Sequence, residues 1–355
     1  MRSAFLDRLR CPGCRDSFDL ESRVAREGLV EEGVLRSRCG AAFPVIAGVP
    51  RILPPDAAAT LAERHAGFFD RHPDLRPATT AGREGTSVRT LRAFGDEWTR
   101  FPELLEVYTR IFEWYFQGPT PVAWPGLRVL DAGCGMGRWL HFARRAGAAI
   151  VGMDVSPAID VVAQREGPEA DLVQADLRWP PFAPGTFDLV YSLGVVHHLD
   201  DPFAGVRTLA SLVRPGGELR LYVYRSLENE HVLRRALLGG VTLTRRVTTR
   251  LPFGLLHGFS WMVAAAFTVL SIAPRRLLRG YAWGDRLTRG LPLAQYADVP
   301  FGMLVAEQFD WFGAPLETRH REQDVRAWLD AVGFQVEAVL PELGWRAIGR
   351  RPAAS

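Results

Sequence analysis

The run Arg128-Val-Leu-Asp-Ala-Gly-Cys-Gly-Met-Gly137 constrains this chain more than any other stretch. An apolar strand that breaks into a glycine-rich turn and then enters a helix lets backbone come close to a ligand at the helix N-terminus. The residues that follow keep the same alternation. A helical stretch through Arg144 precedes strand-like Ile150–Asp154, and a short helix separates it from Asp171–Asp176. Phe187–Ser192, a helix from about Phe203 to Val213 and strand-like Glu218–Tyr224 come next. Strands alternating with helices predict right-handed crossovers and a mostly parallel sheet covered on both faces. Near the end, Glu322–Val332 reads as a helix stopped by Gly333, and Gln335–Leu340 with Trp345–Arg350 reads as a hairpin.

Spacing and charge narrow the ligand. Dinucleotide binders seat a pyrophosphate on Gly-x-Gly-x-x-Gly, whereas here Gly133, Gly135 and Gly137 stand two apart with Asp131 just before them. A carboxylate in that place repels a pyrophosphate and suits the ammonium and sulfonium of S-adenosylmethionine. Asp154 ends the next strand, where an acidic residue accepts from ribose hydroxyls. Asp176 ends the third and is placed to accept from an adenine amino group, with Leu177 against the ring. Cys134 in the turn, Val155 after Asp154 and Ser192 in the fourth strand complete the predicted set, with Trp98 as an outlying member.

At these residues the sequence resembles the class I S-adenosylmethionine-dependent methyltransferase family, from about Pro121 to Tyr224 and again from Glu322 onward. The marks are Asp131-x-Gly-x-Gly-x-Gly137, Asp154, Asp176, Phe187-Asp-Leu-Val-Tyr-Ser-Leu-Gly194, His197-His198 and Arg214-Pro-Gly-Gly217. The resemblance implies an α/β, Rossmann-like class I methyltransferase fold. Its sheet has seven strands, the last antiparallel, with the cofactor at the carboxyl ends of the strands.

Methyl transfer from a sulfonium is an in-line displacement that gains most from alignment and exclusion of water, and it needs a base only for protonated nucleophiles. His197 and His198 follow the fourth strand and are the candidate bases; His320, in Arg319-His-Arg321, is a third. Each has a plainer reading, as a histidine that fixes its loop by hydrogen bonds or, for His320, as a solvated loop residue. The aromatic segment with Phe94, Gly95, Glu97, Trp98 and Arg100 resembles the N-terminal cap of such enzymes; for most of its aromatics ordinary core is the favoured reading.

Cys11-x-x-Cys14, Cys39-Gly40 and Phe43-Pro-Val-Ile-Ala-Gly-Val-Pro50 resemble a small zinc-ribbon-like module known as a methyltransferase activator and as a fusion to some bacterial enzymes. A structural zinc wants four ligands. Cys11, Cys14 and Cys39 supply three, Arg36 stands where the fourth thiolate belongs, and a metal-free relic fold is the favoured reading.

The organisation that follows is a zinc-ribbon-like module at 1–53, a linker at 54–86, a helical cap at 87–120 and the core at 121–225. A helical, Arg-rich lid insertion occupies 226–305, and 306–355 completes the core. Within the insertion, Arg234, Arg235, Arg245, Arg246, Arg250, Arg275, Arg276 and Arg279 occur with no acidic residue between His231 and Gly284. Leu251–Ala273 is nearly uncharged and long enough to span a bilayer, yet the chain must return to the same sheet afterwards. Three readings stand: a buried lid over a hydrophobic pocket, a helix on an anionic membrane surface through 245–280, or a transmembrane anchor.

Composition adds limits. With 355 residues, 47% hydrophobic and 23% charged, the chain reads as a globular protein. Its net charge of +3 predicts no nucleic-acid partner. All basic residues are Arg, which excludes Schiff-base and Walker-type lysine chemistry. Asp7, Arg8 and Arg10 stand where a signal peptide would be apolar, so the expected location is the cytoplasm or the periphery of a membrane. The predicted function is S-adenosylmethionine-dependent methylation of O, N or C of a hydrophobic small molecule such as a secondary metabolite, quinone or lipid-like compound. An RNA or protein methyltransferase, or a non-catalytic S-adenosylmethionine-binding partner protein, stands as the alternative.

Overall fold

The computed structural model describes residues 1–77, 86–119, 121–226, 228 and 232–353. They form two compact units. One is an α/β unit of residues 1–95, 104–227 and 316–355; the other is helical and consists of 96–103 and 228–315.

In the α/β unit the strands are β1 (Phe18–Arg26), β2 (Leu29–Ser37), β3 (Ala42–Ile46), β4 (Val49–Ile52), β5 (Arg128–Ala132) and β6 (Ala149–Asp154). They continue with β7 (Asp171–Ala175), β8 (Phe187–Leu193), β9 (Val213–Tyr224), β10 (Gln335–Pro341) and β11 (Gly344–Arg350). The sheet order is β1-β2-β3-β4-β7-β6-β5-β8-β9-β11-β10. From β7 to β10 this is the expected seven-stranded class I arrangement, with β11 antiparallel to both β9 and β10. Parallel strands covered on both faces have to be apolar throughout, and Val129, Leu130, Ala132, Val151, Met153 and Val173 are all fully buried. Gly152 belongs here for space: a Cβ on it would lie 2.5 Å from Leu140 Cδ1, on the helix Arg138–Arg145.

The N-terminal module does not stand apart from the core. Its strand β4 pairs in parallel with β7 and extends the sheet by four strands. Arg51 is the side chain at that seam. It is fully buried, and donates to Gln174 Oε1 at 2.9 Å, to Asp160 Oδ1 at 2.6 Å and to the Ile46 carbonyl at 3.2 Å. A buried guanidinium is tolerable only with this degree of pairing.

The predicted linker is folded instead. Helices Pro55–Arg64 and Ala66–Arg71 bury Ala57, Leu61, Phe68 and Phe69 against Ile46 and Leu53. Residues 78–85 of that span lie outside the described residues. The helical cap expected at 87–120 holds two helices, Thr86–Arg100 and Val107–Phe116. Pro102 lies in the break, since proline has no N–H to give and disfavours helix at the residue before it.

In the helical unit, Val232–Thr248 is followed by Phe253–Phe267, which continues through a π-turn at Thr268–Ile272 into Ala273–Leu278. Helices Ala282–Thr288 and Phe301–Gly313 complete it, so the insertion runs past position 305. It leaves and re-enters the α/β unit at one point: the His320 N–H donates to the Tyr224 carbonyl at 2.9 Å and the Ser226 N–H to the His320 carbonyl at 2.7 Å.

Candidate functional site

The glycine turn forms because β5 must reverse into a helix beside β6. Gly133, Gly135 and Gly137 have φ of +85°, +52° and +75°, a region that side chains with a Cβ avoid. Space makes the same demand: a Cβ on Gly133 would lie 2.5 Å from Val195 Cγ2, and one on Gly137 2.7 Å from Val162 Cγ1. The turn is clamped to β6 by the N–H groups of Gly133 and Cys134, which donate to the Met153 carbonyl at 2.7 and 3.1 Å. The Cys134 side chain is buried, so the turn presents backbone and not thiol.

Asp154 organises the neighbouring strand end. Its Oδ2 accepts from the Gly135 N–H and its Oδ1 from the Ser156 N–H, both at 2.7 Å. Burial pushes its carboxyl up, while the hydrogen bonds from Ser156 and Gly135 pull the other way. Asp131 is buried as well, and burial lifts it to about 8; the Tyr191 hydroxyl, donating at 3.1 Å, opposes the shift and Asp154 adds to it. Two buried carboxylates that accept from Tyr191, Gly135 and Ser156 make a place that favours a cation, although Arg165 donates to the Met136 carbonyl of the same turn.

The donor set therefore fits S-adenosylmethionine: an acidic strand end for ribose hydroxyls, a second carboxylate for a positive ligand, and a turn that a Cβ would fill. Asp176 departs from expectation. Its carboxylate is held by Arg178, through the backbone N–H at 2.8 Å and Nε at 2.9 and 3.0 Å. An ionised carboxylate retains acceptor sites, so a shared role toward an adenine amino group is still open to it. Arg178 escaped the sequence reading, although its position two residues past Asp176 allows the contact. Leu177 is buried nearby, in the main core. Val155 packs against the Ala57–Phe69 cluster and its carbonyl accepts from Gln174. Ser192 is fully buried and donates to the Ala132 carbonyl at 2.8 Å, which gives it a structural task between β8 and β5.

His197 and His198 lie in a 3₁₀ turn, Val196–His198, just beyond β8. Both are buried. His198 Nδ1 is 2.6 Å from the Leu316 carbonyl, so Nδ1 carries a proton and donates it there. The His197 carbonyl accepts from the Thr318 N–H and hydroxyl, both at 2.9 Å, and its ring lies 4.1 Å from that of Tyr224. The pair thus ties the segment 316–320 to the end of β8.

His320 is not a solvated loop residue. It bridges to Arg225, its Nε2 is 2.9 Å from the Thr318 hydroxyl, and its ring packs on Trp328 at 4.5 Å. Burial lowers its basicity. Phe94 meets the His198 ring edge-on at 4.9 Å, and a Cβ on Gly95 would lie 2.7 Å from Pro157 Cδ, so this end of the cap helix lies against the segment following Asp154. Trp98 falls in 96–103, which belongs to the helical unit.

The three N-terminal cysteines converge, with ligand atoms within 4.8 Å of one another. Cys11 and Cys39 sulfurs are 3.7 Å apart, close to the edge of about 3.8 Å that a tetrahedral zinc with thiolate ligands imposes. Arg36 does not take the fourth place. Its side chain pairs with Glu21, and the neighbouring Ser37, on the opposite face of β2, brings its hydroxyl within 3.0 Å of Cys14 and 3.5 Å of Cys39. Hydrogen bonding with Ser37, then with the Ala41 N–H and the two other thiols, holds Cys39 down at about 7. The three thiols form a cluster compatible with zinc, one short of the four protein ligands of a structural site, with Ser37 hydrogen-bonded to two of them.

Comparison with known proteins agrees with this geometry. Strand order, glycine turn and acidic strand ends define a Rossmann-like class I methyltransferase fold. Residues 130–221 match the family described as "Methyltransferase domain". A ubiquinone biosynthesis O-methyltransferase of Xanthomonas campestris is 40% identical over 106 residues, covering 28% of this chain and 44% of that protein. An uncharacterized Synechococcus protein is 34% identical over 147 residues, covering 35% of each. The chain thus spans less than half the length of these relatives. Among solved structures, magnesium protoporphyrin IX methyltransferase from Synechocystis is 18% identical with a TM-score of 0.38, covering 82% of this chain and 97% of that one.

Proposed function

We propose that the protein is an S-adenosylmethionine-dependent methyltransferase acting on a hydrophobic small molecule. One observation carries the reading: the Gly133–Gly137 turn is bound to Asp154 through the Gly135 N–H, with the buried Asp131 at its start. When bound, the cofactor supplies an electrophilic methyl group on a sulfonium. The chain's part is to bind, orient and keep water out. Asp154 would hold the ribose hydroxyls, Asp131 would face the positive methionine end, and Asp176 with Arg178 would border the adenine.

For an acceptor that carries a proton, His198 is the candidate base, oriented by the hydrogen bond from its Nδ1 to Leu316. His197 and Thr318 position that turn. The acceptor class rests on the apolar insertion and on relatives named for O-methylation in ubiquinone biosynthesis. The shared stretch is the cofactor half, so it supports the reaction more directly than the acceptor. The test is transfer of labelled methyl from S-adenosylmethionine into an organic extract. Label in the organic phase that disappears with Asp154→Ala supports the reading; label only in RNA or protein would redirect it.

A further inference from the structure

We propose that the helical unit docks in the plane of an anionic phospholipid bilayer, through the outward face of the helix Phe253–Leu278. This inference stands independently of the reaction. The helix is 26 residues long and apolar, the one stretch among the described residues fit by length and composition to cross a membrane, and 28% of its most apolar window is buried. Its two sides have different neighbours. Leu256 joins a core with Phe309 and Phe312, while Ala264 and Ile272 pack with Leu304 and Val305 of the helix Phe301–Gly313. On the other side, Leu255, Met262, Val269 and Leu270 follow one another at helical spacing and all are exposed, Leu270 by 71%. Soluble helices carry polar residues there, and a contiguous apolar face of this size marks a contact.

Charge and aromatic content select the partner. No acidic residue lies between His231 and Gly284, and Arg246 and Arg250 are exposed just before the apolar helix; Arg276 and Arg279 near its end are exposed too, bound to the Ala297 and Val299 carbonyls and to Asp298. Trp261, Tyr281 and Trp283 are exposed at 54%, 59% and 61%, and amphipathic aromatic rings favour the headgroup boundary of a bilayer. Arginines beside an apolar face complement anionic lipid headgroups. A second copy of this chain would oppose arginine to arginine. The exit and return of the insertion, hydrogen-bonded to each other at Tyr224 and His320, put both of its ends on one side of any membrane, which rules out a lone span and leaves an in-plane helix.

The experiment is flotation of the full chain with phosphatidylcholine vesicles, with and without phosphatidylglycerol. Wild type is expected to float with the anionic vesicles and to sediment with the neutral ones. Trp261→Gln with Leu270→Gln should lose binding at least about tenfold, as loss of two apolar side chains that the bilayer would bury implies. Arg246→Gln with Arg250→Gln should lose about thirtyfold, since each arginine near the surface contributes about 1 kcal/mol. These side chains are exposed, and unchanged thermal melting would show the variants folded. Wild type that stays with neither vesicle, or binds both equally, overturns the proposal. So does a dimer seen by light scattering that the apolar variant disrupts without any flotation, which would assign the face to a second copy.

Discussion

The Tyr191 hydroxyl donates to the Asp131 carboxylate at 3.1 Å, and both residues are buried beneath the glycine turn. Burial holds Asp131 at about 8, so at pH 7 it is mostly protonated until a cation arrives. A bound cation favours the ionised form and lowers that value. Binding of S-adenosylmethionine at pH 7 is therefore expected to release close to one proton. Its affinity should rise from about pH 6 to about pH 8, where the ligand's own amino group starts to deprotonate. Calorimetry in buffers of different ionisation heats measures the proton count. Asp131→Asn should abolish the release. Tyr191→Phe removes a donor to the charged form, which raises Asp131 further and should weaken binding at pH 7 by about tenfold.

Gly133→Ala should be costly on two grounds, the φ of +85° and the 2.5 Å approach to Val195. Left-handed backbone and overpacking each cost about 1–3 kcal/mol, so denaturant melts should show a loss of about 2–6 kcal/mol. Gly126→Ala, also at positive φ but with open space around it, should lose less, about 1 kcal/mol.

Arg51 and Asp160 make the seam between the N-terminal strands and β7 sensitive to acid. Burial raises the Asp160 carboxyl, but hydrogen bonding to His65 and the Arg51 guanidinium outweigh it and leave the group near 2. A depressed carboxyl contributes stability above its unfolded value of about 4, and that contribution is lost as pH falls through about 2. Wild type should thus lose about 2 kcal/mol across this window, and Asp160→Asn should flatten it. At neutral pH the same variant leaves a buried guanidinium underpaired, at a cost of about 3–5 kcal/mol by chemical melt.

Cys39 is exposed and held near 7, so in metal-free protein its alkylation should be half-maximal close to pH 7. Zinc should protect all three N-terminal thiols together, and Ser37→Ala should weaken that protection and shift Cys39 upward. Alkylation unaffected by zinc would count against the metal.

Much of the core was legible because its signals are local. Asp131, the three glycines and Asp154 stand at fixed places beside apolar strands, and fully buried parallel strands have little choice of composition. What escaped reading depends on distant partners or on side-chain direction. Nothing near Arg51 shows that β4 will pair with β7, some 120 residues on. The Pro- and Ala-rich stretch after Pro54 looks like a linker until Phe68 and Phe69 find Ile46 and Leu53. Arg36 occupied the expected place for a ligand in the sequence, but alternation along β2 turns it outward and turns Ser37 to the thiols. Ser192 and His320 have the right chemistry for a site and spend it on the Ala132 carbonyl and the Thr318 hydroxyl.

The central claim is that S-adenosylmethionine binds at the Gly133–Gly137 turn with Asp154 on its ribose, and calorimetry of wild type against Asp154→Ala tests it most directly. The account expects saturable binding by wild type and a loss of at least about a hundredfold in the variant, the scale of two hydrogen bonds to a charged acceptor. No heat of binding from wild type, or equal affinity in the variant, would contradict it.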